Sequence, residues 1–287
     1  VPIPTPVTEP GRAGLAAILD DPQGALLAFD YDGVLSPIVD DPRLSHPFPG
    51  SIEALARLSG QVGSVVIISG RPAAVVVSFG GFAEQPALSG LVVFGLYGQE
   101  RWDAVTNQVV IPPVSEAVLA AVAELPDLLD RYQAPPETWI EDKGGSVAIH
   151  TRRCPDPAGT LAVLASPIAD CAARHGLLVE PGRYVLELRP PGVDKGQTLL
   201  GYAKERSARS VCYTGDDLGD LKAFDAVESL RGAGIAGLKV GSGSAEVTEV
   251  ANRADVVVDG PAGVLTLLEG ISETIASSTS STGEELT

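Results

Sequence analysis

The sequence predicts an α/β protein, a doubly wound parallel-sheet core interrupted by an inserted α+β domain, and three observations carry that prediction. Short apolar runs alternate with helical stretches between residues 26 and 94, a different pattern begins near 111, and the alternation resumes after 190. At roughly 150 residues per domain, the 287 residues suffice for two domains with a core each. A chain 45% hydrophobic and 20% charged packs as a globular protein rather than staying disordered or fibrous.

Val1 to Pro10 is proline-rich and lacks the basic-then-apolar order of an export signal, so residues 1–20 are expected to form a flexible leader. Leu26–Asp30, Val65–Ser69 and Leu91–Phe94 read as β-rich runs, with helical stretches at Ile52–Leu58 and Pro72–Phe79 between them. This alternation is that of βαβ units, whose parallel sheet is buried on both faces. From 111 to 189 the order becomes αββαββ: helix Ser115–Tyr132, strands Thr138–Asp142 and Ser146–Thr151, helix Gly159–His175, strands Leu177–Glu180 and Tyr184–Leu188. Glycine-containing turns at Lys143-Gly144-Gly145 and Pro181-Gly182-Arg183 make each strand pair a hairpin, so an antiparallel sheet with two helices on one face is expected. Pro112-Pro113 and Pro190-Pro191-Gly192 stiffen the junctions and are the hinge candidates. The core, 21–110 and 190–276, continues with helix Lys195–Arg206, strand Ser210–Thr214, helix Leu218–Leu230 and strands Gly237–Val240 and Ala254–Val258. Ser/Thr-rich residues 277–287 are expected to form a flexible tail.

Acidic residues outnumber basic ones by 37 to 20, and a net charge of −17 repels nucleic acid and anionic membranes alike. The same field opposes an anionic substrate, so any phosphate site must be made locally positive by a metal ion and a few basic side chains. Cys154, Cys171 and Cys212 form no CxxC pair, which fits a reducing cytosol. No run approaches the roughly 18 apolar residues of a membrane span, and a cytoplasmic protein is expected.

Chemistry concentrates at strand ends. Asp30 and Asp32 follow an apolar strand and, two apart in extended backbone, project to one side. Two carboxylates so close call for a cation, and oxygen donors suit Mg²⁺. Gly33 then lets the chain turn sharply. Asp216, Asp217 and Asp220 follow the strand Ser210–Thr214 and open a helix, and three aspartates in five positions exceed what a helix cap requires. Ser69-Gly70-Arg71 closes another strand, where a hydroxyl and backbone N–H groups suit a phosphate oxygen. Lys195 starts a helix, where a cation gains nothing from the helix dipole.

Asp-x-Asp-Gly, Ser, Lys and Gly-Asp-Asp-x-x-Asp, in that order and each at its own strand-to-helix junction, resemble the haloacid dehalogenase (HAD) superfamily of phosphatases. A cap domain inserted between the Ser and Lys motifs resembles one subclass of it. The finer resemblance, from about Leu26 to Leu268, is to trehalose-6-phosphate phosphatases. Asp30–Ile38, Ile68–Arg71, Gly95–Glu100, Ile140–Lys143, Gly182–Arg183, Glu187–Pro190 and Lys195–Gly196 carry it.

The resemblance implies a HAD-like core and Mg²⁺-dependent hydrolysis of trehalose 6-phosphate, with Asp30 as the nucleophile that forms an aspartyl-phosphate and Asp32 as general acid and base. It implies phosphate binding by Ser69, Gly70, Arg71 and Lys195, and sugar binding by Glu100, Glu141, Lys143, Arg183 and Glu187. Asp30, Asp32 through its carbonyl, and Asp216 would hold the metal, with Asp217 and Asp220 behind them. A transient association with a trehalose-6-phosphate synthase also follows. One position departs from the superfamily pattern: Val34 stands where Thr is usual. The alternatives are a phosphatase of another sugar phosphate with the same cap, or a weakly catalytic trehalose-6-phosphate-binding regulator.

Overall fold

The computed structural model describes residues 1–287 with the exception of 40, 112, 114, 183, 192–193, 244–247 and 285–287. The chain divides into two compact units, Val1–Ile111 with Asp194–Thr287, and Pro112–Val193.

The larger unit begins with a helix where a flexible leader was expected. Helix α1 (Glu9–Asp20) starts at Thr8, whose hydroxyl accepts from the Gly11 amide and donates to the buried Asp255 carboxylate at 2.5 Å. Proline next to the cap is tolerated because the first turn lacks N–H partners anyway. Gly14 lies so close to the Gly237 carbonyl that a Cβ would sit 1.9 Å from its oxygen. That approach buries Ile18 completely, which is why the segment is ordered.

Next come β1 (Ala25–Phe29), α2 (Ser51–Ser59), β2 (Ser64–Ile68), α3 (Ala73–Gly80) and β3 (Val92–Gly95). The hairpin β4 (Glu100–Asp103) and β5 (Gln108–Val110) follows. The smaller unit carries α4 (Glu116–Arg131), β6 (Trp139–Asp142), β7 (Val147–His150), α5 (Pro157–Arg174), β8 (Leu178–Gly182) and β9 (Val185–Arg189). The larger unit resumes with α6 (Lys195–Glu205), β10 (Ser210–Gly215), α7 (Leu221–Gly232), β11 (Ala236–Ser242), α8 (Thr248–Arg253), β12 (Val256–Val258) and α9 (Gly260–Glu284). The expected tail is thus helical through Glu284, because α9 carries Val264, Leu267, Leu268, Ile271 and Ile275 into the core and propagates from there.

The core sheet runs β12-β11-β10-β1-β2-β3-β4-β5. Its first six strands are parallel, and β4 and β5 add an antiparallel edge to what was expected to be a parallel sheet. Along β1, Leu27 and Phe29 enter one apolar layer while Leu26 and Ala28 enter the other, as a strand covered on both faces requires. The chain runs outward from β1 through β2 and β3, then returns to the other side of β1 at β10. This reversal places a crevice at the carboxyl ends of β1 and β10, the position where open α/β sheets bind ligands.

In the smaller unit the antiparallel order is β6-β7-β9-β8. One sheet face packs Val147, Ile149, Leu186 and Leu188 against Val118, Leu125, Leu164 and Ile168 of α4 and α5, forming a core of its own.

Candidate active site

The two reversing strands deliver the two acidic motifs. Asp30 directly follows β1 and is tied to β10 by its amide, which donates to the Thr214 carbonyl. Its carboxylate is 5% exposed, accepts from the Tyr31 amide at 2.6 Å and pairs with Lys195 Nζ at 2.6 Å. Burial, opposed by Lys195 and reinforced by Asp220 and Asp217, pushes its pKa well above the ordinary carboxylate range. Gly33 makes the turn possible: at φ +71°, a Cβ there would meet the Asp216 carboxylate at 2.1 Å. Ser242, at the end of β11, pins this turn by donating to the Gly33 carbonyl at 2.6 Å.

Asp216 lies just past β10, nearly buried, and its carboxyl is pushed up to about 7 by burial and by Asp220 and Asp217. Burial likewise raises Asp217. Asp220 differs from its neighbours. Fully buried, its carboxylate accepts from Lys195 Nζ, the Tyr213 hydroxyl and the amides of Asp216 and Asp217. Although burial alone would raise it, Lys195 and Tyr213 hold its pKa below the ordinary value. Lys195 is the mirror case: burial disfavours its charge, but Asp220 and Asp30 outweigh burial and keep it protonated. Asp217 closes a reciprocal capping box with Asp220. Asp220 is therefore the fixture that aims Lys195 at Asp30, a role the sequence hides because the Tyr213 and Lys195 contacts are invisible in it.

Oxygens of Asp30, Asp216 and Asp220 lie within 4.8 Å of one another. Four carboxylates, counting Asp217, face one ammonium, and this surplus of negative charge adds to burial in raising Asp30 and Asp216. The donor set fits a divalent cation, a hard ion suited to oxygen ligands. With Asp220 already bonded to four donors, Asp30 and Asp216 are the carboxylates left to bind it.

Asp32 points to a different set of partners and is about one-third exposed. Arg71 grips both its oxygens, Nε at 2.6 Å and a terminal nitrogen at 2.8 Å, and Ser45 donates to it at 2.7 Å. Ser45 and Ser36 are hydrogen-bonded at 2.7 Å, both fully buried. Arg71, expected to hold phosphate, is here engaged with Asp32. Ser69 directly follows β2, buried, its hydroxyl accepting from the Arg71 amide. Gly70 is glycine because a Cβ would sit 2.9 Å from the Tyr97 hydroxyl oxygen. Ser45 carried no motif and could not be read from sequence, and Tyr97, although inside the Gly95–Glu100 stretch, carried no expected role.

The residues expected to bind sugar fall in separate places. Glu100 lies on β4 of the larger unit and accepts from the Ala73 amide at 2.7 Å, capping α3. Glu141 bonds His150 at 2.8 Å, and Lys143 pairs with Glu187 at 2.7 Å, all within the smaller unit. Arg183 lies outside the described residues, as do the hinge positions Pro112 and Gly192. Val34 is fully buried in the apolar core, so a hydroxyl there would meet hydrocarbon. A second donor cluster, Glu124, Cys171 and His175, has its carboxylate bonded by Arg174 and His175 and bridges α4 to α5.

The trehalose-phosphatase family model matches residues 28–261, which span both acidic motifs, Ser69, Lys195 and the whole smaller unit. The chain belongs to this family. Among curated relatives, the trehalose-phosphate phosphatase of Mycobacterium marinum is 36% identical over 212 residues, covering 69% of this chain and 50% of that protein. The Mycobacterium leprae protein of the same name is 34% identical over 221 residues. The chain thus spans about half the length of the curated relatives it matches. The fold is that of the Aspergillus fumigatus trehalose-6-phosphate phosphatase, with TM-score 0.71 at 23% identity, covering 94% of this chain and 99% of that one.

Proposed function

We propose that this trehalose-phosphatase family chain hydrolyses trehalose 6-phosphate to trehalose and phosphate through an aspartyl-phosphate, with Mg²⁺. The carrying observation is the Asp30 carboxylate at the β1–β10 reversal, held by the Tyr31 amide and Lys195 beside the surplus negative charge of Asp216. Asp30 attacks phosphorus while the sugar oxygen leaves with a proton from Asp32, and Asp32 then takes a proton from the water that splits the acyl phosphate. Lys195 keeps its charge throughout and stabilises the phosphoryl oxygens as Asp30 shares electrons with phosphorus. A substrate phosphate competes with Asp32 for Arg71, and drawing the guanidinium away leaves the Asp32 oxygens open to the departing sugar oxygen. Asp30, Asp216 and the Asp32 carbonyl would hold Mg²⁺, which supplies charge neutralisation at the phosphate.

Sugar selection falls to Glu141, Lys143, Arg183 and Glu187, because a phosphate clamp alone accepts any phosphomonoester. A cytoplasmic location and transient association with the synthase that makes the substrate belong to the same reading. Among the described residues no helix is long and apolar enough to cross a membrane, and the three cysteines are unpaired.

The test is phosphate release from a sugar-phosphate panel with and without Mg²⁺, on the wild type and Asp30→Asn. Trehalose 6-phosphate should be the best substrate, EDTA should abolish turnover, and the amide variant should lose about a thousandfold or more. A different best sugar would reassign the substrate. Binding without turnover would mark a regulator, and an active Asp30→Asn would refute the nucleophile.

A further inference from the structure

Side chains alternate across the sheet of the smaller unit, and the face away from α4 and α5 carries an arrangement that its ion pairs alone do not explain. Ile140, Val147, Ile149 and Leu186 turn toward the helices, so Trp139, Glu141, Ala148, His150 and Glu187 share the other face. On that face the His150 imidazole lies flat on Trp139, ring centroids 4.4 Å apart and planes 5° apart. Arg153 also lies over the Trp139 ring, 4.5 Å from its centroid. From this fixed ring, His150 Nε2 reaches a carboxylate oxygen of Glu141 at 2.8 Å.

We infer that His150 is a positioning residue, which orients Glu141 as an acceptor of sugar hydroxyls and thereby sets affinity for the sugar rather than the rate of phosphoryl transfer. The inference rests on the proposed sugar-binding role of Glu141 and adds a residue no motif pointed to. Glu141 is about half exposed, and a glutamate so placed gives up rotamer freedom when it must adopt one pose. Holding it in that pose beforehand removes much of this cost from binding. The bond uses one carboxylate oxygen, so the group keeps capacity for hydroxyl donors. With Nε2 as donor, the imidazole need carry no charge to do this.

The neighbouring carboxylate is treated the same way. Glu187 accepts from Lys143 Nζ at 2.7 Å and from the Ser146 hydroxyl at 2.6 Å. Register places Glu141, Ala148 and Glu187 in one row across three adjacent strands. At about 4.8 Å between strands, the two glutamate Cα atoms stand about 10 Å apart. Between them stands Ala148, which is fully buried. An exposed pair by itself contributes little to stability and does not call for a tryptophan stacked on the imidazole. Orientation of Glu141 accounts for both.

The experiment compares His150→Phe, which retains a ring for Trp139 but has no donor, with His150→Gln, which retains a donor but no ring. Each is assayed on the best sugar phosphate of the panel and on an aryl phosphate, beside Glu141→Ala and the double variant His150→Phe/Glu141→Ala. His150→Phe should raise KM for the sugar phosphate by about five- to thirtyfold, the cost of ordering a Glu141 side chain no longer held in place, with a much smaller change in kcat. His150→Gln should recover part of that loss, and the double variant should be no worse than Glu141→Ala alone. Unchanged KM in His150→Phe, effects that multiply in the double variant, or an equal loss on the aryl phosphate would each overturn the role of His150 while leaving the sugar site standing. A wild type that prefers no sugar phosphate over the aryl phosphate would remove the sugar site itself, and the His150 proposal with it.

Discussion

Asp216 shows how one carboxyl reports on the crowding of two acidic motifs. Its pKa of about 7 in the metal-free protein arises from burial first and from Asp220 and Asp217 next. The folded state therefore keeps a proton there that the unfolded chain releases near its ordinary value of 3.8. Stability from this group is fully present below the unfolded value and is lost as pH rises through about 7. Asp30, also raised, acts in the same sense, while Asp220, held low, titrates below that window. In EDTA the thermal midpoint should accordingly contain a component that declines between pH 5 and 7.5, and Asp216→Asn should flatten it. Because a bound cation must displace the same proton, apparent Mg²⁺ affinity should weaken by up to about tenfold per pH unit below the raised pKa. Magnesium titrations at pH 5.5, 6.5 and 7.5 measure this directly, and a pH-independent affinity would show that Asp216 is not a ligand. The aspartates themselves were legible in the sequence because both motifs follow apolar strands. Their division of labour was not, since Asp220 is set apart by Lys195 and Tyr213, which approach it only in the fold.

At the scale of elements, Glu100 shows a motif residue bound into the framework. Helix α3 begins after Pro72, which offers no side-chain oxygen, and the Glu100 carboxylate accepts from the first helical amide, that of Ala73, from across β4. Glu100→Ala should cost about 0.5 to 2 kcal/mol of stability, the ordinary penalty for losing a cap. Denaturant unfolding measures that loss, and the preference for sugar phosphate over aryl phosphate should stay within about twofold of wild type, a difference of roughly 0.4 kcal/mol. A larger loss of preference would return Glu100 to the sugar site. Strands β1 and β2 were readable because burial on both faces makes them almost unbroken apolar runs, and β10 because Val211, Cys212 and Tyr213 form a shorter one. The hairpin β4–β5 was not, since β5 is mostly exposed and three residues long. Helix α1 was obscured by Pro2, Pro4, Pro6 and Pro10, and its reason to fold is contact with β11, which no local pattern announces. Helix α9 was hidden at its far end by serines and threonines, although its first half carries apolar residues at helical spacing.

The whole molecule joins two units that hold separate cores, and only one of them contains the acidic cluster. A net charge of −17 adds self-repulsion to both, but the carboxylates of Asp30, Asp216, Asp217 and Asp220 concentrate it in the larger unit. A ligand that binds only the folded form stabilises it by RT ln(1 + [L]/Kd), about 2.7 kcal/mol at a hundred times Kd. For a unit of about 200 residues, each kcal/mol moves the midpoint by roughly 2 to 4 °C. Mg²⁺ should therefore raise the unfolding transition of the larger unit by about 5 to 10 °C relative to EDTA. The segment 112–193 has its own apolar layer between the sheet and α4 and α5, so produced alone it should fold and melt at one temperature with or without Mg²⁺. Calorimetry of the full chain and circular dichroism of the segment test both statements. A segment that stays unfolded would mean its core needs the rest of the chain. A magnesium shift in the isolated segment would mean that a cation binds there, and the assignment of the metal to the larger unit alone would fall.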